Sequence, residues 1–335
     1  LTAAGVVQVW HVIVLALGLG VVNAVDMPTR QAFAVDMVGR RDIGNAVALN
    51  SAMFNSARII GPAVGGLAIG AFTISTAFLL NGLSFLAVIA GLLLMRDSEL
   101  HMPPRIARPS TVAGVVQNLG EGLRYVVRTR TVLLAITVIG LVSTFGMNFS
   151  VLTPPLTVEL LHGDAITYGF LMTAMGVGSL IAALAIAFSG RTGPRLIGAG
   201  ALVLGLSEVV LGGSHVLGLS LLAMFVGGLG AIAMSATANT VIQLTVPDQL
   251  RGRVMSVYTT VFAGSTPFGG LPMGAIASGF GSAIAMAVGG VISVLIGLGG
   301  LVWLNRIRQR PPAAVARAAL QAAEAASITA TRVGR

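Results

Sequence analysis

Cysteine and lysine are both absent from the 335 residues, and charged residues of every kind make up only 9%. Without cysteine there is neither a disulfide framework nor a thiolate metal site. Without lysine there is no Gly-x4-Gly-Lys phosphate loop, so the energy for any work is expected from an ion gradient rather than nucleotide hydrolysis. His11, His101, His162 and His215 are scattered, with no His-x3-His or Glu-x2-His spacing to hold a metal or activate water. An enzyme, a metal and a cofactor are therefore not expected. A soluble domain carries roughly 25% charged residues, so this chain cannot cover a water-facing surface of ordinary size.

What is present is apolar: 55% hydrophobic residues and 44 glycines, with a mean hydropathy of +0.92. Nine hydrophobic runs follow one another, at 6–25, 46–69, 74–95, 132–153, 168–188, 196–213, 217–238, 254–278 and 283–304. Each is long enough to cross a hydrocarbon core of about 30 Å as a helix. The period-2 alternation of a barrel is missing, which leaves an all-α integral membrane protein in a lipid bilayer. The formal charge of +9 does not point to nucleic acid, because all 20 basic residues are arginine and 19 of them lie in alternate connections or the tail. The intervening connections, near 70–73, 154–167, 214–216 and 279–282, hold none. That alternation is the positive-inside pattern, and it places the C-terminus in the cytoplasm and Leu1 outside.

An offset of 208 superposes 44–66 on 252–274, matching Gly44 with Gly252, Phe54 with Phe262, Gly61 with Gly269 and Gly66 with Gly274. Both stretches follow an arginine-bearing connection and run in the same direction, as parallel repeats require. Carried backward, the offset predicts three helices before Leu1, and so nine visible of an expected twelve. Between the halves lies 96–130. Its prolines and charges read as a linker, after which Val112, Val115, Val116, Leu119, Leu123, Val126 and Val127 recur at helical spacing. This predicts an amphipathic helix, either on the inner membrane surface with Arg124, Arg128 and Arg130 near anionic headgroups or as a simple connector.

Within "NSARIIGPAVGG", Gly61, Gly65 and Gly66 strip side chains from the helix so that a partner can approach closely, while Pro62 removes a backbone hydrogen bond. Pro267, Pro272 and Gly274 look like a diverged copy. The stretch "GVVNAVDMPTRQAFAVDMVGRRDIGNAVALNSAMFNSARIIGPAVGG", with Asp26, Pro28, Arg30, Gln31, Asn45, Asn50, Asn55 and Arg58, resembles the fourth and fifth helices of major facilitator superfamily exporters of the enterobactin-exporter and macrolide-efflux type. The resemblance implies major facilitator-type helical bundles in a bacterial inner membrane. It implies a division into 1–95 (helices 4 to 6 of the N-terminal bundle), a cytoplasmic central loop at 96–130, a C-terminal six-helix bundle at 131–305 and a cytoplasmic tail at 306–335. It also identifies Gly61, Pro62, Gly65 and Gly66 as the antiporter signature Gly-x3-Gly-Pro-x2-Gly-Gly, with Ala57 in place of the leading glycine.

Arg58 lies about 12 residues from either end of its run, roughly 18 Å, too far for its side chain to reach a headgroup. A charge at that depth is expected to face a polar cavity, and Asn50 and Asn55 on nearby turns extend a candidate substrate cavity. Asp26 and Arg30, one helical turn apart, resemble a cytoplasmic latch, with topology anchoring as the alternative. Glu208, about five residues from the outer end of its span, is the candidate proton carrier unless it reaches the outer interface and stays solvated. For His11, Glu159, Asp164 and His215, solvated positions are expected. The chain thus reads as a monomeric secondary active transporter. It would export drug-like or siderophore-like molecules by proton antiport with alternating access; the alternative is a transport-inactive scaffold or sensor on the same fold.

Overall fold

The computed structural model describes residues 2, 4–22, 26, 53, 56–57, 60–96, 112–189 and 193–309. Eleven helices and no strands are found among them: α1 (Val9–Val22), α2 (Ile60–Ala71), α3 (Ile74–Leu93), α4 (Val112–Arg128), α5 (Arg130–Phe145), α6 (Phe149–Glu159), α7 (Ala165–Ser189), α8 (Pro194–Gly213), α9 (Leu217–Thr245), α10 (Asp248–Phe280) and α11 (Ser282–Gln309). Six segments are long and apolar enough to cross a membrane: α3, the α5–α6 pair, α7, α8, α9 and Ser282–Arg306 of α11. Described parts of the other three expected spans are helical too. Runs 6–25 and 46–69 contribute the shorter apolar helices α1 and α2, and α10 is longer but less apolar because Asp248, Arg251, Arg253, Pro267 and Pro272 lie within it.

The expected span at 132–153, with a connection at 154–167, is corrected. Its helix stops at Phe145, and a second helix runs to Glu159, so the connection shortens to 160–164. Pro154 and Pro155 lie inside α6. Between the two helices, the Gly146 and Met147 amides both bond to Val142 O, at 2.7 and 3.0 Å, and Asn148 Nδ2 bonds back to Thr144 O at 2.7 Å. The backbone groups freed by the break are thus partly satisfied inside the protein, as lipid demands.

Helices α5 to α11 pack on one another. α8 lies against α9 and α11, α7 against α9, and α5 against α10 and α11. The most extensive seam is between α8 and α11. A Cβ added at Gly205 would stand 2.5 Å from Gly290 O, one at Gly212 would stand 2.6 Å from Ala283 O, and one at Gly198 would meet Gly297 O at 3.1 Å. These glycines recur every seventh residue, so a single face of α8 offers bare backbone to its neighbour. In membranes, where lipid is as apolar as leucine, such close van der Waals contact is a main source of helix association.

The loop ends are pinned by acids expected to be merely solvated. Glu159 accepts from Ser282 N at 3.0 Å and Ser282 Oγ at 2.6 Å, tying the end of α6 to the start of α11. Asp164 Oδ1 accepts from Thr167 N and Thr167 Oγ1, each at 3.0 Å, and so caps α7. Those bonds hold the Asp164 carboxyl below its ordinary value of 3.8, with weak desolvation opposing. A depressed folded value means that this cap is in place at neutral pH and is lost only as pH falls through that lowered value.

Candidate functional site

Gly66 of α2 is buried where α2 crosses α7. A Cβ there would stand 2.5 Å from Ala165 O and 3.2 Å from Gly169 Cα; one at Gly169 would stand 2.7 Å from Pro62 O. One turn on, a Cβ at Gly70 would meet the Ile166 side chain at 2.7 Å. Two backbones are in contact, and α2 is joined to α7. The signature glycines divide, since added carbons at Gly61 and Gly65 would meet nothing within 4 Å. Sequence reasoning missed Gly169 as the partner. The glycine row Gly169, Gly176, Gly178 on α7 was the available signal.

Of the other predicted residues, Arg58, Asn50, Asn55 and Arg30 lie outside the described residues. Asp26 is helical and half-buried. Glu208 is wholly buried, which removes the outer-interface alternative. Its Oε2 lies 3.3 Å from Ser293 Oγ, and its Oε1 has no hydrogen-bond partner. No cluster of three metal-ligating side chains exists among the described residues.

A cavity of about 540 Å³ opens between α5 and α10, lined by Ile136, Gly140, Thr144, Val261, Gly264 and Phe268 among others. Thr144 Oγ1 donates to Gly140 O at 2.8 Å and Ser265 Oγ to Phe262 O at 2.7 Å, so these hydroxyls are turned to their own helices and the walls are almost wholly apolar. At the N-terminal end of α10 the amphipathic α4 docks on protein. A Cβ at Gly122 would stand 2.6 Å from Arg253 O, Glu121 pairs with Arg253, and Tyr125 Oη donates to Thr245 O at 3.3 Å. Because the pair is more than a third exposed, it contributes at most about 1 kcal/mol. Glu121→Arg is expected to lower the melting temperature in detergent by a few degrees, and adding Arg253→Glu to recover most of the loss. No recovery in the double variant would show that the charges do not meet.

A profile of the transmembrane secretion effector family matches residues 1–332, nearly the whole chain. The chain belongs to that family. This secretion effector is a multi-pass transporter of the major facilitator superfamily and not an enzyme. It is 28% identical over 311 residues to the multidrug efflux pump Tap of Mycolicibacterium fortuitum, covering 89% of this chain and 74% of the pump. It is 24% identical over 300 residues to the staphyloferrin A transporter of Staphylococcus aureus, covering 85% of this chain and 70% of that one. A crystal structure of a POT family transporter in complex with 5-aminolevulinic acid shares its fold, with a TM-score of 0.62 at 15% identity, covering 82% of this chain and 72% of the other.

Proposed function

We propose that this secretion effector exports small amphipathic organic molecules, drug-like or siderophore-like, by proton antiport with alternating access. The observation that carries the reading is the Gly66–Gly169 crossing. A carrier that rocks two halves around a midplane site needs a seal between them on the closed side, and backbone-to-backbone contact supplies a tight one. The relatives named for multidrug efflux and for a siderophore support the substrate class. The apolar cavity between α5 and α10 suits the uncharged part of such a molecule.

Arg58, Asn50 and Asn55 are assigned to the polar side of the substrate cavity, Asp26 and Arg30 to a cytoplasmic latch, and Glu208 to the proton. The chain divides at 1–95, 96–130, 131–305 and 306–335, works as a monomer, and keeps its C-terminus in the cytoplasm of a bacterial cell. In inverted vesicles carrying the full-length protein, uptake of a drug such as ethidium is expected to collapse on adding a protonophore. Arg58→Ala is expected to reduce that uptake at least about tenfold with membrane insertion unchanged, because a cation so far from either end of its apolar run is needed by function rather than by the bilayer. Undiminished uptake by the variant would remove Arg58 from the site, and protonophore-insensitive uptake would remove the proton.

A further inference from the structure

Glu208 sits where α8, α11 and the break between α5 and α6 meet. A Cβ added at Gly290 of α11 would stand 2.8 Å from Glu208 Cβ, and one at Gly146 would stand 2.2 Å from Ser293 Oγ and 3.2 Å from Glu208 Oε2. No side chain separates the backbone of the break from the carboxyl and the hydroxyl. Two polar atoms are left buried and unserved here and on the break itself, Glu208 Oε1 and Asn148 Oδ1.

Ser293 Oγ has one proton and two acceptors in reach: Gly289 O at 2.9 Å and Glu208 Oε2 at 3.3 Å. When the carboxyl carries its own proton, it can donate to Ser293, whose hydroxyl then serves the nearer Gly289 carbonyl. When that proton leaves to water, the carboxylate is acceptor-only and the hydroxyl must turn to Oε2, because a buried carboxylate without a donor is costly. Among the described residues Ser293 is the one side chain that interacts with the carboxyl. α11 otherwise presents Gly290 and the break presents Gly146, and no second charged or titratable group is placed against it.

We propose that Ser293 is the positioning residue of a proton site at Glu208, and that the site acts on the α5–α6 break, where Gly146 leaves no side chain between the main chain and the two groups. This rests on the proton-coupled reading above and adds the element through which the proton would act.

The test uses the full-length transporter in lipid and needs no substrate. Infrared difference spectra across a pH titration should show a carboxyl band that is absent in Glu208→Gln. Ser293→Ala should displace the midpoint of that band by about one pH unit, while Ser293→Thr, which keeps the hydroxyl, should leave it in place. These 335 residues hold no cysteine, so spin labels on cysteines placed at the exposed positions Leu141 and Val158 report the angle of the break. Their separation should differ between acidic and alkaline buffer in the otherwise native protein and stay fixed in Ser293→Ala. A midpoint unmoved in Ser293→Ala, or a separation indifferent to pH, overturns the inference while leaving Glu208 as proton carrier. A titration without any Glu208-dependent band overturns the carrier reading and the inference together.

Discussion

Replacing Gly66 with leucine should open a proton leak through the transporter and abolish net export, whereas leucine at Gly65 should do neither. The two glycines are neighbours in sequence, yet an added carbon at Gly66 would stand 2.5 Å from the Ala165 carbonyl and one at Gly65 would meet nothing within 4 Å. The obstacle at Gly66 is backbone, which cannot swing aside as a side-chain tip can, so α2 and α7 would have to separate. A small residue at such a crossing is what permits the contact in the first place. In proteoliposomes, the rate at which an imposed pH gradient decays should rise about tenfold for Gly66→Leu, equivalent to about 1.4 kcal/mol of lost closure. Gly169→Leu, whose added carbon would meet Pro62 O at 2.7 Å, should behave likewise. A gradient held as tightly by Gly66→Leu as by the native protein would show that the crossing is no seal.

The second large effect is expected at Glu208. Glutamine preserves the shape of the side chain and can still accept from Ser293 Oγ, now 3.3 Å from Oε2, but it cannot take up or release a proton. Glu208→Gln should therefore fold and insert normally, lose uphill export by on the order of tenfold or more, and retain downhill exchange of substrate across the membrane, because an intramembrane carboxyl is retained for function. Measuring both modes separates the proposal from general damage. If uphill export survived, Glu208 would be a structural residue; if both modes failed, its loss would have disrupted the packing of α8 on α11.

Much of this arrangement is legible in the chain because lipid leaves few choices. Long apolar runs must be helices, and six of the expected spans contain a helical segment long and apolar enough to cross a membrane. The break at Gly146–Asn148 was not legible: Arg130–Glu159 as a whole is apolar enough for one span, and the interruption is written in the hydrogen bonds to Val142 O and Thr144 O. Pro154 and Pro155, just past the end of the expected run, lie inside α6. Depth along a helix could be read for Glu208, but direction could not, because whether a side chain faces lipid, water or protein depends on which face α11 covers. Periodicity predicted α4 from its valines, yet its dock on Arg253 joins residues 132 apart in sequence, and nothing local records it. Likewise the glycine of α2 announced a close crossing without naming Gly169 as its counterpart.

The row of Gly198, Gly205 and Gly212 against α11 bears on where the molecule can flex. Two helices that touch through main chain have no rotamers to trade and no slack to redistribute, so the pair behaves as a strut. Movement on one side of that strut is transmitted rather than absorbed, and flexure falls to the helices whose ladders are already interrupted, at Gly146 and at the prolines inside α6 and α10.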